Sequence, residues 1–192
     1  MRVISGSARG RRLQTPPGMR VRPTADRVKE ALFSMLVSRK GSFNGKKVLD
    51  LFAGVGSLGI EALSRGACNA VFVDNHRESA ELIDRNIVSA GLSGKGRVTV
   101  RDAVSALHEL ERAGERFDIV FLDPPYGLGL VDTMLTALAS SRVLTDDALV
   151  AAEFASTQVL PESFGVLQEC GRRKYGNTCI ALFEVQRSDL DS

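Results

Sequence analysis

The chain has 192 residues, of which 44% are hydrophobic and 25% are charged. These values are typical of a globular domain with its own core and exclude a disordered chain. No apolar run approaches the roughly 18 residues of a membrane span, and the basic first residues, MRVISGSARGRR, lack the apolar stretch of a secretory signal. We therefore expect a soluble, cytoplasmic protein.

The formal net charge of +2 hides a strong asymmetry along the chain. Residues 1–47 contain twelve lysines and arginines against two acidic residues, whereas the remaining 145 residues contain thirteen basic and 21 acidic residues. This asymmetry suggests a basic arm that binds a polyanion such as nucleic acid, the alternative being a solvated terminus. We divide the chain into a basic arm, residues 1–22, and a main domain, residues 23–192.

The arm is predicted to form a short hairpin over residues 1–18, and the helix that follows has Thr24 as its predicted N-cap. From residue 47 onward, predicted strands and helices alternate. The predicted strands are Val48–Leu51, Ala70–Val73, Val98–Val100, Ile119–Leu122 and Ala148–Ala152, and the predicted helices are Leu58–Ser64, Glu78–Ser89, Val104–Glu111 and Leu130–Ala139.

Short strands that are apolar on both faces indicate a parallel sheet with helices on each side. The last two strands, Phe164–Glu169 and Thr178–Val185, are predicted to form an antiparallel hairpin joined across residues 172–177. The predicted fold is therefore α/β and Rossmann-like. Its sheet has seven strands and is mostly parallel, and the C-terminal hairpin and a small N-terminal β-hairpin extension complete it.

Four aspartates fall at the ends of four successive predicted strands: Asp50, Asp74, Asp102 and Asp123. In open parallel sheets, ligands bind beyond the carboxyl ends of the strands. A single aspartate there could merely cap a helix, but four together favour a ligand that offers several hydrogen-bond donors.

The first strand is followed by Gly54-x-Gly56-x-x-Gly59, which matches the dinucleotide fingerprint. A dehydrogenase is thus one hypothesis, although Asp50 places a negative charge where a pyrophosphate would lie. S-adenosylmethionine fits the loop better, because no phosphate has to be accommodated. Asp50 could then bind the methionine ammonium, Asp74 the ribose hydroxyls and Asp102 the adenine amine.

The fourth strand is followed by Asp123-Pro124-Pro125-Tyr126, a segment that we call the shelf. Its two prolines give up two backbone donors and fix two φ angles, so the shelf is rigid. Hydrogen bonds from an exocyclic amine to the Asp123 carboxylate and the Pro124 carbonyl would direct the amine lone pair at a methyl donor, while Tyr126 stacks on the base. The three cysteines offer neither a nucleophile here nor zinc-ligand spacing.

Five segments of the chain resemble those of the bacterial 16S rRNA (guanine(966)-N2)-methyltransferase family, the small-subunit rRNA methyltransferases D. They are RVISGSARGRRLQTPPG, RPTADRVKEALFSML, VLDLFAGVGSLGIEALSRGA, FDIVFLDPPYGLG and RRKYGNT. The resemblance implies that residues 23–192 form an S-adenosylmethionine-dependent methyltransferase domain. It also implies that the acceptor is a guanine 2-amine in 16S rRNA of an assembled or assembling small ribosomal subunit, and it alone favours guanine over adenine.

Loop, shelf and resemblance together give the predicted site. The predicted catalytic residues are Asp123, Pro124, Pro125 and Tyr126. The predicted cofactor-binding residues are Asp50, Phe52, Ala53, Gly54, Gly56, Asp74, Asp102 and Thr24. The predicted RNA-binding residues are Arg9, Arg11, Arg12, Arg20, Arg22, Arg172, Arg173 and Lys174. We expect a monomer without a metal or a membrane partner. The alternatives are a DNA adenine-N6 methyltransferase, a non-catalytic nucleic-acid-binding module with a vestigial cofactor site, and a dehydrogenase.

Overall fold

One sheet of eight strands organises the protein. The computed structural model describes residues 1–16, 23–127 and 129–186, without the side chains of residues 23–25. The strands are β1 Lys47–Leu51, β2 Asn69–Asp74, β3 Gly96–Val100, β4 Phe117–Leu122, β5 Leu144–Ala155, β6 Ser163–Phe164, β7 Leu167–Tyr175 and β8 Thr178–Val185. Their order in the sheet is β3-β2-β1-β4-β5-β8-β7-β6.

The first five strands pair in parallel and the last three add to β5 in antiparallel pairs. The helices are α1 Pro23–Lys40, α2 Ser57–Ser64, α3 Arg77–Ser89, α4 Ala103–Arg112 and α5 Leu130–Ser140. Helices α4 and α5 pack on one face of the sheet, and α1, α2 and α3 pack on the other. None of the helices in the described ranges is both long and apolar enough to cross a membrane.

The predicted α/β architecture, its five parallel strands and its four later helices are confirmed, with ends that differ by a few residues. The sheet has eight strands instead of seven, because the strand predicted over Phe164–Glu169 is interrupted at Gly165, whose φ is +52°. The predicted N-cap at Thr24 is wrong, since α1 already includes Pro23.

The predicted connection across residues 172–177 is also wrong. Arg172, Arg173 and Lys174 lie within β7, and only Gly176 and Asn177 join it to β8. Two-residue loops with a glycine at positive φ fit the twist of antiparallel strands, and Gly176 has a φ of +60°. The favoured turn therefore lets β7 continue to Tyr175, beyond its predicted end at Glu169, whereas β8 has its predicted bounds, Thr178–Val185.

The first sixteen residues form a hairpin that packs against the helices on one face of the sheet. Its ladder is a single bridge between Arg2 and Arg12, so the predicted N-terminal hairpin is confirmed in reduced form. Its apolar side chains are buried in the same core cluster as α1, α2 and α3; these are Val3, Ala8 and Leu13. At Gly6 a Cβ would lie 1.9 Å from the Ser64 carbonyl oxygen, so only glycine permits this approach to α2.

A buried carboxylate, Glu61 of α2, fastens this hairpin. The backbone N–H groups of Ile4 and Ser5 donate to its two oxygens at 2.7 and 3.0 Å. Arg65 Nε donates at 2.8 Å, and Lys29 Nζ lies 3.6 Å away. Lys29 is itself buried, which lowers its pKa, and Glu61 opposes that shift. The fully buried charge is thus surrounded by donors, as a stable buried carboxylate requires.

A second buried polar side chain, Asn86 of α3, holds the end of the hairpin. Its Oδ1 accepts from the Gln14 backbone N–H at 2.7 Å, and its Nδ2 donates to the carbonyl oxygens of Gln14 and Val55 at 3.1 and 3.0 Å. Because Val55 belongs to the loop after β1, Asn86 connects the N-terminal hairpin to that loop.

The contacts of Glu61 lead to a stability prediction. We expect Glu61→Gln to lower the free energy of unfolding by about 3 kcal/mol, since it leaves Lys29 without its main counter-charge and sets an amide N–H against a backbone N–H. Urea unfolding measures the change, and Glu109→Gln, which removes an exposed pair with Arg101, is the matched control. Equal stability of the two variants would contradict this account of the hairpin.

Candidate active site

The loop between β1 and α2 forms the centre of the site, at the point where the chain order reverses between β1 and β4. Phe52 has a φ of +63°, the only described non-glycine residue with positive φ. Residues in this region store of order 1–3 kcal/mol of strain, which concentrates at functional sites. Gly54, with a φ of +56°, donates its N–H to Asp74 Oδ2 at 2.8 Å, so the loop is tied to the end of β2.

Asp50, which lies in β1 just before this loop, has a buried carboxylate that accepts one short hydrogen bond. Its Oδ2 accepts the Gly59 N–H at 2.8 Å. Burial raises its pKa to about 7, against the lowering effect of the Gly59 hydrogen bond, and the charge of Asp74 adds to the rise. No lysine or arginine within the described ranges forms an ion pair with it. A carboxylate of this kind beside a cavity would be stabilised by a cation.

Asp74 is the last residue of β2 and Asp102 lies two residues after β3, so both are at the strand ends that the sequence predicts. Besides the Gly54 N–H, Asp74 accepts the His76 backbone N–H on Oδ1 at 3.0 Å. Asp102 is exposed and caps α4, since its Oδ1 accepts the Ser105 N–H at 2.9 Å, a bond that lowers its pKa. Both carboxylates keep lone pairs for a ligand, although capping alone would explain Asp102.

The shelf begins at the end of β4, next to β5, and two acidic residues lie close together there. Leu122 pairs with Ala152 in parallel register, and Asp123, the first residue after β4, and Glu153 of β5 directly follow this pair. The pKa of Asp123 is raised well above its ordinary value, because desolvation disfavours its charge and because Glu153 and Asp50 repel it. Desolvation also raises the pKa of Glu153.

Tyr126 stands at the end of the shelf with its ring half exposed. Its hydroxyl bonds to Thr178 Oγ1 at 2.9 Å and donates to Glu153 Oε1 at 3.2 Å. Desolvation raises its pKa to about 12, and Glu153 and Asp123 add to that rise, so the phenol stays protonated. The ring is thus fixed at its tip and open on its face, which suits stacking on a flat ligand.

Two cavities meet at Asp123. The loop cavity, of about 740 Å³, is lined by Asp50, the loop residues 52–55, part of α3 and residues 14–16. The hairpin cavity, of about 520 Å³, is lined by Lys29 of α1, Glu153, Tyr126 and the β7–β8 turn. Asp123 lines both, together with Met1, Ser57 and Leu58. A group bound in one cavity can therefore reach a group bound in the other.

Two further recesses share Phe52 with the loop cavity. One, of about 230 Å³, is lined by Asp74 and Asp102, and the other, of about 400 Å³, runs along the shelf. Together they make an elongated cleft with carboxylates at the ends of four strands. Within the described part of the chain, no group of His, Cys, Asp and Glu is arranged to hold a metal ion.

The predicted RNA-binding residues fall into three groups. Arg9, Arg11 and Arg12 are exposed on the N-terminal hairpin, and no ion pair within the described residues involves them. Arg20 and Arg22 lie outside the described residues, as does the side chain of Thr24. On β7, Arg173 and Lys174 are exposed, whereas Arg172 pairs with Glu169 and lies over the Phe154 ring.

Comparison with known proteins decides the family. The family model described as "Conserved hypothetical protein 95" matches residues 1–184. The chain belongs to this family. It is 39% identical over 184 residues to the "Putative rRNA methyltransferase YlbH" of Bacillus subtilis, covering 96% of this chain and 98% of that protein.

Two further relatives agree with the family resemblance seen in the sequence motifs, and they confirm it. The "Ribosomal RNA small subunit methyltransferase D" of Escherichia coli K12 is 36% identical over 161 residues, which are 84% of this chain and 78% of that protein. The structure of the "Putative methyltransferase yhhF" from Escherichia coli superposes with a TM-score of 0.84 at 32% identity and covers 97% of this family member and 98% of that chain. The predicted methyltransferase fold is confirmed as well.

Several lining residues were not predicted from the sequence. Lys29, Glu153 and Thr178 border the hairpin cavity; Lys29 and Thr178 lie within two of the segments that resemble the family, and Glu153 lies in none of them. Glu153 did leave a signal, since it is the one charged residue in the apolar run ALVAAEFA of β5. A carboxylate in a buried strand is costly unless it has a role there.

The raised pKa of Asp50 predicts how stability varies with pH. The folded protein keeps a proton on Asp50 where the unfolded chain has lost it, so this residue's contribution falls as pH rises from about 4 to about 7. We expect Asp50→Asn, which cannot ionise, to gain stability relative to the wild type over that range, by at most about 4 kcal/mol.

Urea unfolding at pH 5, 6, 7 and 8 measures this difference, with the exposed Asp84→Asn as the control for loss of one charge. A stability difference between Asp50→Asn and the wild type that stays constant with pH would show that Asp50 ionises normally in the folded protein.

Proposed function

We propose that this protein methylates the exocyclic N2 amine of a guanine in 16S rRNA, at a position of the guanine(966) type, with S-adenosylmethionine as methyl donor. The observation that carries the proposal is the meeting of two cavities at Asp123, because methyl transfer needs the donor and the amine on the two sides of one positioning group. Relatives that are named as rRNA methyltransferases support the substrate class.

The cofactor of this methyltransferase fold is S-adenosylmethionine, and the residues of the cleft fit it. It would supply an electrophilic methyl group beside the shelf. Asp50 offers a buried negative charge to the methionine ammonium, Asp74 offers acceptors to the ribose hydroxyls, and Asp102 does so for the adenine amine. Phe52, Ala53, Gly54 and Gly56 form or border the cavity wall, and we retain Thr24 as a proposed neighbour of the methionine end.

The shelf residues would position the acceptor amine. The lone pair of an exocyclic amine is delocalised into the base, so the amine needs orientation more than it needs a strong base. The Asp123 carboxylate accepts an N–H and holds the lone pair away from the ring plane, and the Pro124 carbonyl can accept the second N–H. Pro125 stiffens the segment and Tyr126 stacks on the base. Positioning and electrostatic stabilisation of this kind supply most of the rate enhancement in such a site.

The basic residues would bind the rRNA backbone. Exposed Arg9, Arg11, Arg12, Arg173 and Lys174 can neutralise phosphates, and we retain Arg20, Arg22 and Arg172 as proposed contacts. We propose that residues 1–22 serve RNA recognition and residues 23–192 form the methyltransferase domain. We further propose a cytoplasmic monomer that acts on the assembled or assembling small subunit, without a metal or a membrane.

A labelling experiment tests the proposal. The protein is incubated with tritiated S-adenosylmethionine and, in parallel, with undermethylated small subunits, naked 16S rRNA and duplex DNA, and the labelled nucleoside is identified. We expect N2-methylguanosine from small subunits. N6-methyladenine in DNA would favour the DNA methyltransferase, whereas cofactor binding without any product would favour a non-catalytic module. Binding of NAD in the loop cavity would favour a dehydrogenase.

The role of the shelf predicts a separation of turnover from cofactor binding. Asp123→Ala should lower kcat about 100-fold or more, since it removes an acceptor for the amine, and should leave cofactor affinity by calorimetry within a few-fold of the wild type. Asp84→Ala is the control. Full activity of Asp123→Ala would contradict the proposed positioning.

The exposed hairpin arginines predict a separation of RNA binding from cofactor binding. The triple change of Arg9, Arg11 and Arg12 to alanine should weaken subunit binding and reduce its salt dependence, with cofactor affinity unchanged. We prefer it to deletion of residues 1–18, because residues 14–16 line the loop cavity and Glu61 needs the backbone of Ile4 and Ser5. Unchanged subunit binding at several salt concentrations would contradict the proposed role of these arginines.

A further inference from the structure

The hairpin cavity contains a carboxylate that the proposed reaction does not use. Glu153 lines it beside Asp123, and each of the two residues directly follows a member of the last pair between β4 and β5, Leu122 and Ala152. Strands in such a sheet lie roughly 4.8 Å apart, so the two acidic side chains are close. Two carboxylates this close disfavour each other's charge, and Glu153 repels the charge of Asp123, so a ligand that offers hydrogen-bond donors would stabilise the pair.

The partners of Glu153 leave most of its hydrogen-bonding capacity free. Tyr126 donates to Oε1, and no lysine or arginine within the described residues forms an ion pair with Glu153. Lys29, the one lysine among the described residues that line this cavity, donates to the Arg2 carbonyl and to Ser57 Oγ at 2.7 and 3.1 Å and lies against Glu61. Glu153 is therefore an acceptor without a cationic counterpart.

The arrangement of acceptors matches the donors of one base edge. Guanine carries N1–H directly beside its 2-amino group, so its Watson–Crick edge offers two adjacent kinds of donor. Adenine instead places an unprotonated N1 beside its amine. Enzymes that act on an extruded base read this edge by hydrogen bonds, and a site built around a donor rejects analogues that lack it, because the acceptor then stays unpaired.

We infer that Glu153 determines specificity by accepting the N1–H of the target guanine in the hairpin cavity while Asp123 holds the adjacent 2-amine. This inference rests on the proposed function and assigns to a second carboxylate the choice of guanine. Tyr126 would orient Glu153 through its hydroxyl group and would also stack on the target base. The same aromatic residue would thus act both in recognition of the base and in its positioning.

The test uses a base that keeps the 2-amine and lacks N1–H. Small subunits are reconstituted with 16S rRNA that carries either guanine or 2,6-diaminopurine at the target position, and single-turnover methylation of the 2-amine is measured with excess enzyme. The wild type should prefer guanine by about 100-fold or more. In Glu153→Gln this preference should fall to about tenfold or less, because the amide can present its oxygen to N1–H or its nitrogen to an unprotonated N1.

Two further variants control for structural effects. Glu153→Asp keeps the carboxylate, so it should react more slowly with guanine and still reject 2,6-diaminopurine. The exposed Glu162→Gln removes one charge outside the cavity and should behave as the wild type. Thermal unfolding of each variant verifies folding, and Glu153→Asp keeps the test valid if Glu153→Gln does not fold.

The outcomes separate this inference from the proposed function. A wild type that methylates guanine N2 and a folded Glu153→Gln with the same preference would overturn the specificity role alone. Loss of both reactions in a folded Glu153→Gln would also overturn it, since Glu153 would then take part in the chemistry. Loss of preference for guanine in Glu153→Asp would do so too. If the wild type forms no N2-methylated product on any rRNA, the proposed function itself fails.

Discussion

The hydrogen bonds that Glu61 accepts from Ile4 and Ser5 join the N-terminal hairpin to the main domain, and both cavities depend on that connection. Met1 borders both cavities and residues 14–16 border one of them, so the cleft is complete only when the hairpin is in place. The buried charge is tolerated because four donors surround it. A segment with the composition of a flexible basic arm is thereby part of the same core as α1, α2 and α3.

The second constraint is the convergence of carboxylates at the ends of β1, β4 and β5. Asp50, Asp123 and Glu153 lie at the edge where parallel strands end. Desolvation raises the pKa of all three, and repulsion by Asp74 adds to the rise at Asp50, as repulsion by Glu153 and Asp50 does at Asp123. This arrangement costs folding free energy, and the donors of a bound cationic cofactor and an amine-bearing base would offset the cost. Perturbed acidic groups in a cleft are characteristic of functional sites.

Much of the fold could be predicted from the sequence, because its strands are short, apolar and separated by glycines. The shelf and the loop after β1 were found for a local reason, as Pro124, Pro125 and the glycines have conformational requirements that sequence displays. Glu153 has only a weak local signal, as the one charged residue of the run ALVAAEFA, because its position beside Asp123 depends on the pairing of β4 with β5, which a local pattern does not display. The strand content of residues 172–175 was underestimated, since charged residues on an exposed sheet edge resemble a loop.

The left-handed backbone conformation of Phe52 sets the stability of the protein against the shape of its site. Its ring borders three of the recesses that form the cleft, yet glycine would adopt this conformation at lower cost. Selection for heat resistance alone would therefore favour the smaller residue here, and selection for turnover would restore the ring. An engineered thermostable form of this enzyme should keep position 52 fixed, since gains at that residue would come at the expense of the pocket it shapes.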